Sequence, residues 1–144
     1  MIAMDNTQIT RVSLALDETL SRKLDDMVHA SGYSNRSEFV RDMIREQLVT
    51  RSWEAGQSEV LGTITLIYNH HQRELCAKLT EIQHDAHVRI LAATHVHLSH
   101  ELCAEMIMTV GRPEAVRELH LALRRPRGIL HAALSMSSAG GELQ

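Results

Sequence analysis

Residues 94–103 read THVHLSHELC, placing two histidines one residue apart and a cysteine six residues beyond the second. In a strand, successive side chains leave opposite faces, so His95 and His97 stand side by side while Val96 and Leu98 point away. The polar SHEL that follows reads as a chain reversal that returns Cys103 on the next strand, close to the pair. Two imidazoles and a thiol converging on one spot are potential metal donors. Histidine usage points the same way. Seven of the ten (His70, His71, His84, His87, His95, His97 and His100) fall within one 31-residue window. Such clustering suits metal binding, proton chemistry or a pH response.

The elements that must position these residues follow from periodicity. VLGTITLIY (60–68), VRILAATHVHL (88–98), CAEMIMTV (103–110) and GILHAALSM (128–136) read as strands. Residues 70–86 read as a helix with Leu75, Leu79 and Ile82 inward. GRPEAVRELHLALRR starts another, with Pro113 in its first turn. The order is βαββαβ, the ferredoxin-like split βαβ arrangement. Ahead of it, TRVSLAL (10–16) alternates strictly, with Val12, Leu14 and Leu16 on one face and Arg11, Ser13 and Ala15 on the other. Asp17 caps a helix carrying Leu20, Leu24, Met27 and Val28, which Gly32 stops. Asn35 to Glu38 fits a capping box for a second helix with Phe39, Val40, Met43, Ile44 and Leu48 on its apolar stripe. A strand and two helices in about forty residues cannot bury a sufficient core alone. The strand also lacks a partner in its own chain, so this unit is expected to pair with a second copy of itself.

The class is therefore α+β. The expected division is an N-terminal extension (1–9), a strand-helix-helix domain (10–50), a linker (51–59), a second domain (60–136) and a tail (137–144). With 144 residues, the chain holds one ordinary domain or two very small ones. Aromatics are scarce, one Trp, one Phe and two Tyr, so the cores rest on aliphatic and Met side chains. No apolar run is long enough to span a membrane and the first residues lack a signal peptide's apolar core, so a cytoplasmic location is expected. Two cysteines make a poor disulfide framework and favour thiols or metal ligands. The net charge of −3 excludes an all-over basic nucleic-acid binder, though not a local groove contact. Residues 1–51 hold seven Lys or Arg against eight Asp or Glu, so any DNA affinity there must come from focused contacts.

A lone strand with a basic and small polar outer face, followed by two helices, resembles the ribbon-helix-helix DNA-binding domain. That resemblance implies that strands from two chains form an antiparallel ribbon in the major groove, with Arg11, Ser13 and Ala15 towards base edges. It also implies that SNRSEFVRD, through Asn35, Arg36 and Ser37, grips the DNA backbone at a helix N-terminus. With the second domain included, roughly residues 10–136 resemble the nickel-responsive ribbon-helix-helix repressors, the NikR family. Their regulatory domain is ferredoxin-like, of the ACT type, and His84, His95, His97 and Cys103 stand at the spacing of their metal signature. Three imidazoles and a thiolate, read without the family, suit Zn(II) as a tetrahedron or Ni(II) and Cu(II) as a square plane. The resemblance chooses Ni(2+), with His95, His97 and Cys103 from one subunit and His84 from a neighbour across the interface of a homotetramer, a dimer of dimers.

The resemblance further implies ligand-orienting roles for Tyr68, Gln83 and Glu105, a weaker cation site at Glu38 and Asp42, and a DNA-backbone contact at Arg73. His70, His71, His87 and His100 are candidates for weak extra metal binding. Its functional implication is a regulator that binds palindromic operator DNA when nickel is bound and so shuts down nickel uptake. Three departures stand out. Ala15 replaces a base-reading threonine, Gln72 replaces a backbone-contacting lysine beside Arg73, and Asp85 and Ala86 interrupt a histidine run. A regulator of another metal (Cu, Co or Zn), a small metalloenzyme and a metal-storage or chaperone protein are the competing readings. The enzyme would need an open coordination position, a cleft and a general base, for which no constellation is visible. Storage would leave the strand-helix-helix unit without purpose.

Overall fold

The computed structural model describes residues 9–69, 71, 72 and 74–143. Arg73, His70 and residues 1–8 of the expected N-terminal extension lie outside the described residues. The chain divides into two compact units, the first ending at Asp42 and the second beginning at Met43.

In the first unit, α1 (Glu18–Ala30) starts where the Asp17 side chain accepts a hydrogen bond from the Leu20 N–H at 2.8 Å. It stops at Gly32, whose φ of +73° is a left-handed conformation that costs glycine nothing. The second helix, α2 (Arg36–Ala55), begins in this unit. Asn35 Oδ1 accepts from the Glu38 N–H at 3.0 Å, the expected cap. Val28 and Phe39 are buried, and Tyr33 meets Phe39 edge to face with ring centroids 5.5 Å apart. Residues 10–16, expected as a strand, carry no regular element, and Val12 and Leu14 are exposed. A strand exists through its ladder, and among the described residues nothing pairs with this one.

The second unit holds β1 (Val60–Asn69), α3 (Leu75–Asp85), β2 (Arg89–His97), β3 (Leu102–Gly111), α4 (Pro113–Arg124) and β4 (Ile129–Ser138). The four strands form one antiparallel sheet in the order β2-β3-β1-β4. This is the expected βαββαβ, ferredoxin-like fold of the ACT type. Strict alternation along β1 sends Val60, Ile64, Leu66 and Tyr68 into the core. There they meet Leu75 and Leu79 of α3, Ile107 and Cys103 of β3, and Val116, Leu119 and Leu123 of α4. A Cβ at Gly62 would lie 2.6 Å from Val116 Cγ1, so only glycine lets α4 lie this close to β1.

Three boundaries differ from expectation. The linker expected over 51–59 is helical as far as Ala55, and Gly56, with φ of +68°, ends it. Trp53 explains this. It is 1% exposed, packs on Val60 and Val116, and donates from Nε1 to the Ser137 carbonyl at 2.9 Å. Arg117 caps the same turn by donating to the Trp53 carbonyl at 3.2 Å, with its guanidinium 5.3 Å over the ring. The helix expected from residue 70 starts only at Leu75. Asn69 Oδ1 accepts from the His71 N–H, and Glu74 adopts φ of +67°, which makes a turn instead. The tail expected from 137 continues β4 to Ser138 and adds a short 3-10 turn, Gly141–Leu143, where Glu142 accepts from Ser52 at 3.2 Å. No helix among the described residues is long and apolar enough to cross a membrane.

Candidate metal centre

The centre lies at one edge of the sheet, where β2 ends and β3 begins. Antiparallel register sets His97 opposite Cys103 and His95 opposite Glu105, so all four side chains leave the same face. One ligand atom from each of His95, His97 and Cys103 lies within 4.8 Å of the others. The His95 and His97 rings meet nearly at right angles, centroids 5.0 Å apart. His97 Nδ1 is 3.3 Å from Cys103 Sγ. Both imidazoles are exposed, whereas the thiol is buried. That burial, followed by the charge of Cys76, pushes the Cys103 thiol up, so without metal it holds its proton and can share it with His97.

Behind this group runs a hydrogen-bonded chain. Gln83 Nε2 on α3 donates to Glu105 Oε1 at 3.0 Å, and Tyr68 O–H donates to Glu105 Oε2 at 3.2 Å. The same Tyr68 oxygen lies 3.0 Å from His95 Nδ1. A phenol has one proton. With that proton given to Glu105, the oxygen accepts Nδ1–H from His95, which leaves the Nε2 lone pair of His95 for a metal. Burial first, and the Glu105 charge second, raise the Tyr68 ionisation far above its ordinary range, so it stays a neutral donor.

Of the four ligands expected, three come together. His84 sits in the last turn of α3 and is not part of the group. Cys76 is exposed and separate from it. His71 and His100 approach with ring centroids 5.7 Å apart, while His87 makes no metal-capable group among the described residues. The proposed cation pair is held by two different hydroxyls: Ser34 donates to Glu38 at 3.0 Å and Tyr33 to Asp42 at 2.8 Å. Arg11, Ser13 and Ala15 are exposed, as are Asn35, Arg36 and Ser37. Sequence reasoning missed the partner of Arg36. Its Nε and Nη2 donate to the two carboxylate oxygens of Asp25 on α1, each at 2.6 Å. The two residues are eleven apart, across a turn, at a spacing no helical or strand periodicity flags.

Two helices preceded by a strand-patterned segment, in one chain with an ACT-like domain that gathers His, His and Cys, fit the class of ribbon-helix-helix regulators with a metal-responsive second domain. Residues 61–137 match the family described as the NikR C-terminal nickel-binding domain, and residues 10–51 match the copG family of ribbon-helix-helix proteins. A protein of Solibacter usitatus is 43% identical over 94% of this chain and 98% of its own. One of Geotalea uraniireducens is 44% identical over 92% of this chain and 96% of its own. One of Geobacter sulfurreducens is 41% identical over the same shares. All three are named nickel-responsive regulators. The chain belongs to the nickel-responsive regulator family, a family of transcriptional regulators and not of enzymes. The metalloenzyme reading falls with that membership.

Proposed function

We propose that this chain is a cytoplasmic nickel-responsive repressor that binds palindromic operator DNA as a homotetramer when Ni(II) occupies its second domain, and thereby silences nickel-uptake genes. The observation that carries the reading is the convergence of His95, His97 and Cys103 within one coordination distance scale, on a fold joined to a ribbon-helix-helix unit. The donor set fits the ion: two imidazoles and a thiol are borderline-soft, and three donors leave room for a fourth. That fourth is His84 of a neighbouring copy, whose place at the end of α3 keeps it out of its own chain's group. Bound nickel supplies a link between side chains of two copies. The chain's own residues do the rest. Tyr68 and Glu105 fix the His95 ring with Nε2 outward. Cys103 gives up its thiol proton on binding, so uptake releases protons.

The exposed face of the first unit supports the DNA half. Val12, Leu14, Leu20 and Met27 are apolar and open on the single chain, the surface a second copy would cover in forming the ribbon. Arg11 and Ser13 would then reach base edges, Asn35 and Ser37 the backbone. Ni(II) must be distinguished from Cu(II), Co(II) and Zn(II), which the same donors hold, so selectivity lies in the response more than in affinity. A gel-shift titration tests all of this, using a duplex selected from a random-sequence pool by the protein with Ni(II). Tightening with Ni(II), and less with the other ions at equal occupancy, supports the reading. Equal affinity with and without metal refutes it.

A further inference from the structure

Arg36 stands at the first position of α2, where an exposed guanidinium would ordinarily be assigned to a DNA phosphate. Its surroundings argue otherwise. Both oxygens of Asp25 are taken by its Nε and Nη2 at 2.6 Å, a planar two-point fork, and Ser21 Oγ lies 3.5 Å from the same Nη2. Asp25 and Ser21 are both on α1. A forked guanidinium–carboxylate pair fixes direction as well as distance. It also cancels the charge: a cation already matched to a carboxylate releases few counterions when DNA arrives.

The other contacts at this corner are consistent with a braced joint. Tyr33 N–H bonds the Val28 carbonyl at 3.2 Å, and its ring packs on Phe39. Asn35 caps α2 through Glu38. The amide N–H groups of the first turn of α2 can point at a phosphate only if that turn is held at a set angle to α1.

We propose that Asp25 and Arg36 are positioning residues that brace α1 against the start of α2 and so aim its first turn at the DNA backbone, with Arg36 itself making no phosphate contact. This rests on the DNA-binding reading above. The test uses the full chain with Ni(II) and a duplex selected from a random-sequence pool by the wild-type protein. Asp25→Asn and Arg36→Gln should each weaken binding by about two- to fivefold, the scale of a well-formed exposed pair. The double variant should be no weaker than either single one, and the slope of log affinity against log salt should not change. Tighter or unchanged binding by Asp25→Asn overturns the brace, since it would mean that Arg36 had been freed for a phosphate. So does a slope lowered by about 0.9 in Arg36→Gln, the signature of one lost phosphate contact. Amide hydrogen exchange gives an answer without DNA. Both single variants should speed exchange over residues 36–40, and unchanged exchange overturns the brace. Should the wild-type protein select no duplex at all with Ni(II), the functional reading fails and the exchange result alone decides the brace.

Discussion

Replacing Tyr68 by Phe removes one oxygen and leaves the ring that fills the core, 1% exposed, between Leu66 and Cys103. Two interactions go with that oxygen: the 3.0 Å approach to His95 Nδ1 and the 3.2 Å bond to Glu105. Glu105 keeps its bond from Gln83 at 3.0 Å, so the carboxylate is not stranded and the fold should survive. His95 loses what fixes its tautomer and ring angle. Outer groups of this kind are commonly worth about 10- to 100-fold in metal affinity, or about 1.4–2.8 kcal/mol. That matches the loss of one ordinary hydrogen bond of about 1 kcal/mol plus part of a charge-assisted one of about 1.5–3 kcal/mol. Competition for Ni(II) against a chelator of known strength reads the affinity, and thermal unfolding of the metal-free protein checks the fold. Wild-type nickel affinity in Tyr68→Phe would refute the argument that this phenol orients a ligand. An affinity loss matched by a collapse of the metal-free fold would refute it too, because the oxygen would then be serving the core.

Three further outcomes are expected. Cys103→Ala should abolish the thiolate-to-metal charge-transfer absorption of the nickel protein, whereas Cys76→Ala should leave it, as read by near-ultraviolet titration. His84→Ala and Cys103→Ala chains, each defective alone, should recover a fraction of complete nickel sites when refolded together; mixed oligomers without recovered sites would mean that one chain supplies all four ligands. Trp53→Ala should destabilise the metal-free protein by about 3–5 kcal/mol in urea unfolding, the range for emptying a buried aromatic site, and an unchanged midpoint would refute its place in the core.

The sequence made the second unit legible because its signals are local. Alternation along 60–68 and the spacing of Val116, Leu119 and Leu123 place the core, and the spacing of His95, His97 and Cys103 becomes proximity through a single hairpin. What it hid is non-local, or calls for a partner that this chain does not supply. Trp53 is flanked by Ser52 and Glu54, a polar run that suggests a spacer, and its partner Ser137 is 84 residues away. The strand at 10–16 carries the right alternation, but its ladder would have to come from another molecule. His84 gives no local sign of belonging with His95. Only the family resemblance links them, because no element of this chain brings it to the group. The Asp25–Arg36 fork is invisible for a related reason: opposite charges on two helices say nothing about which pairs will face each other.

The burial of Trp53 also bears on how such proteins can be taken apart and recombined. A break at residue 59, the far end of the stretch where composition invites one, would leave the sensor domain with an indole-sized hole over Val60 and Val116 and the Ser137 carbonyl without its donor. A fragment starting at Met43 would carry its own lid. The portable unit is thus a ferredoxin-like fold with the second half of a helix attached. Any exchange of reading heads during evolution would have to cross over inside α2, upstream of the tryptophan, where the helical repeat must be kept in phase.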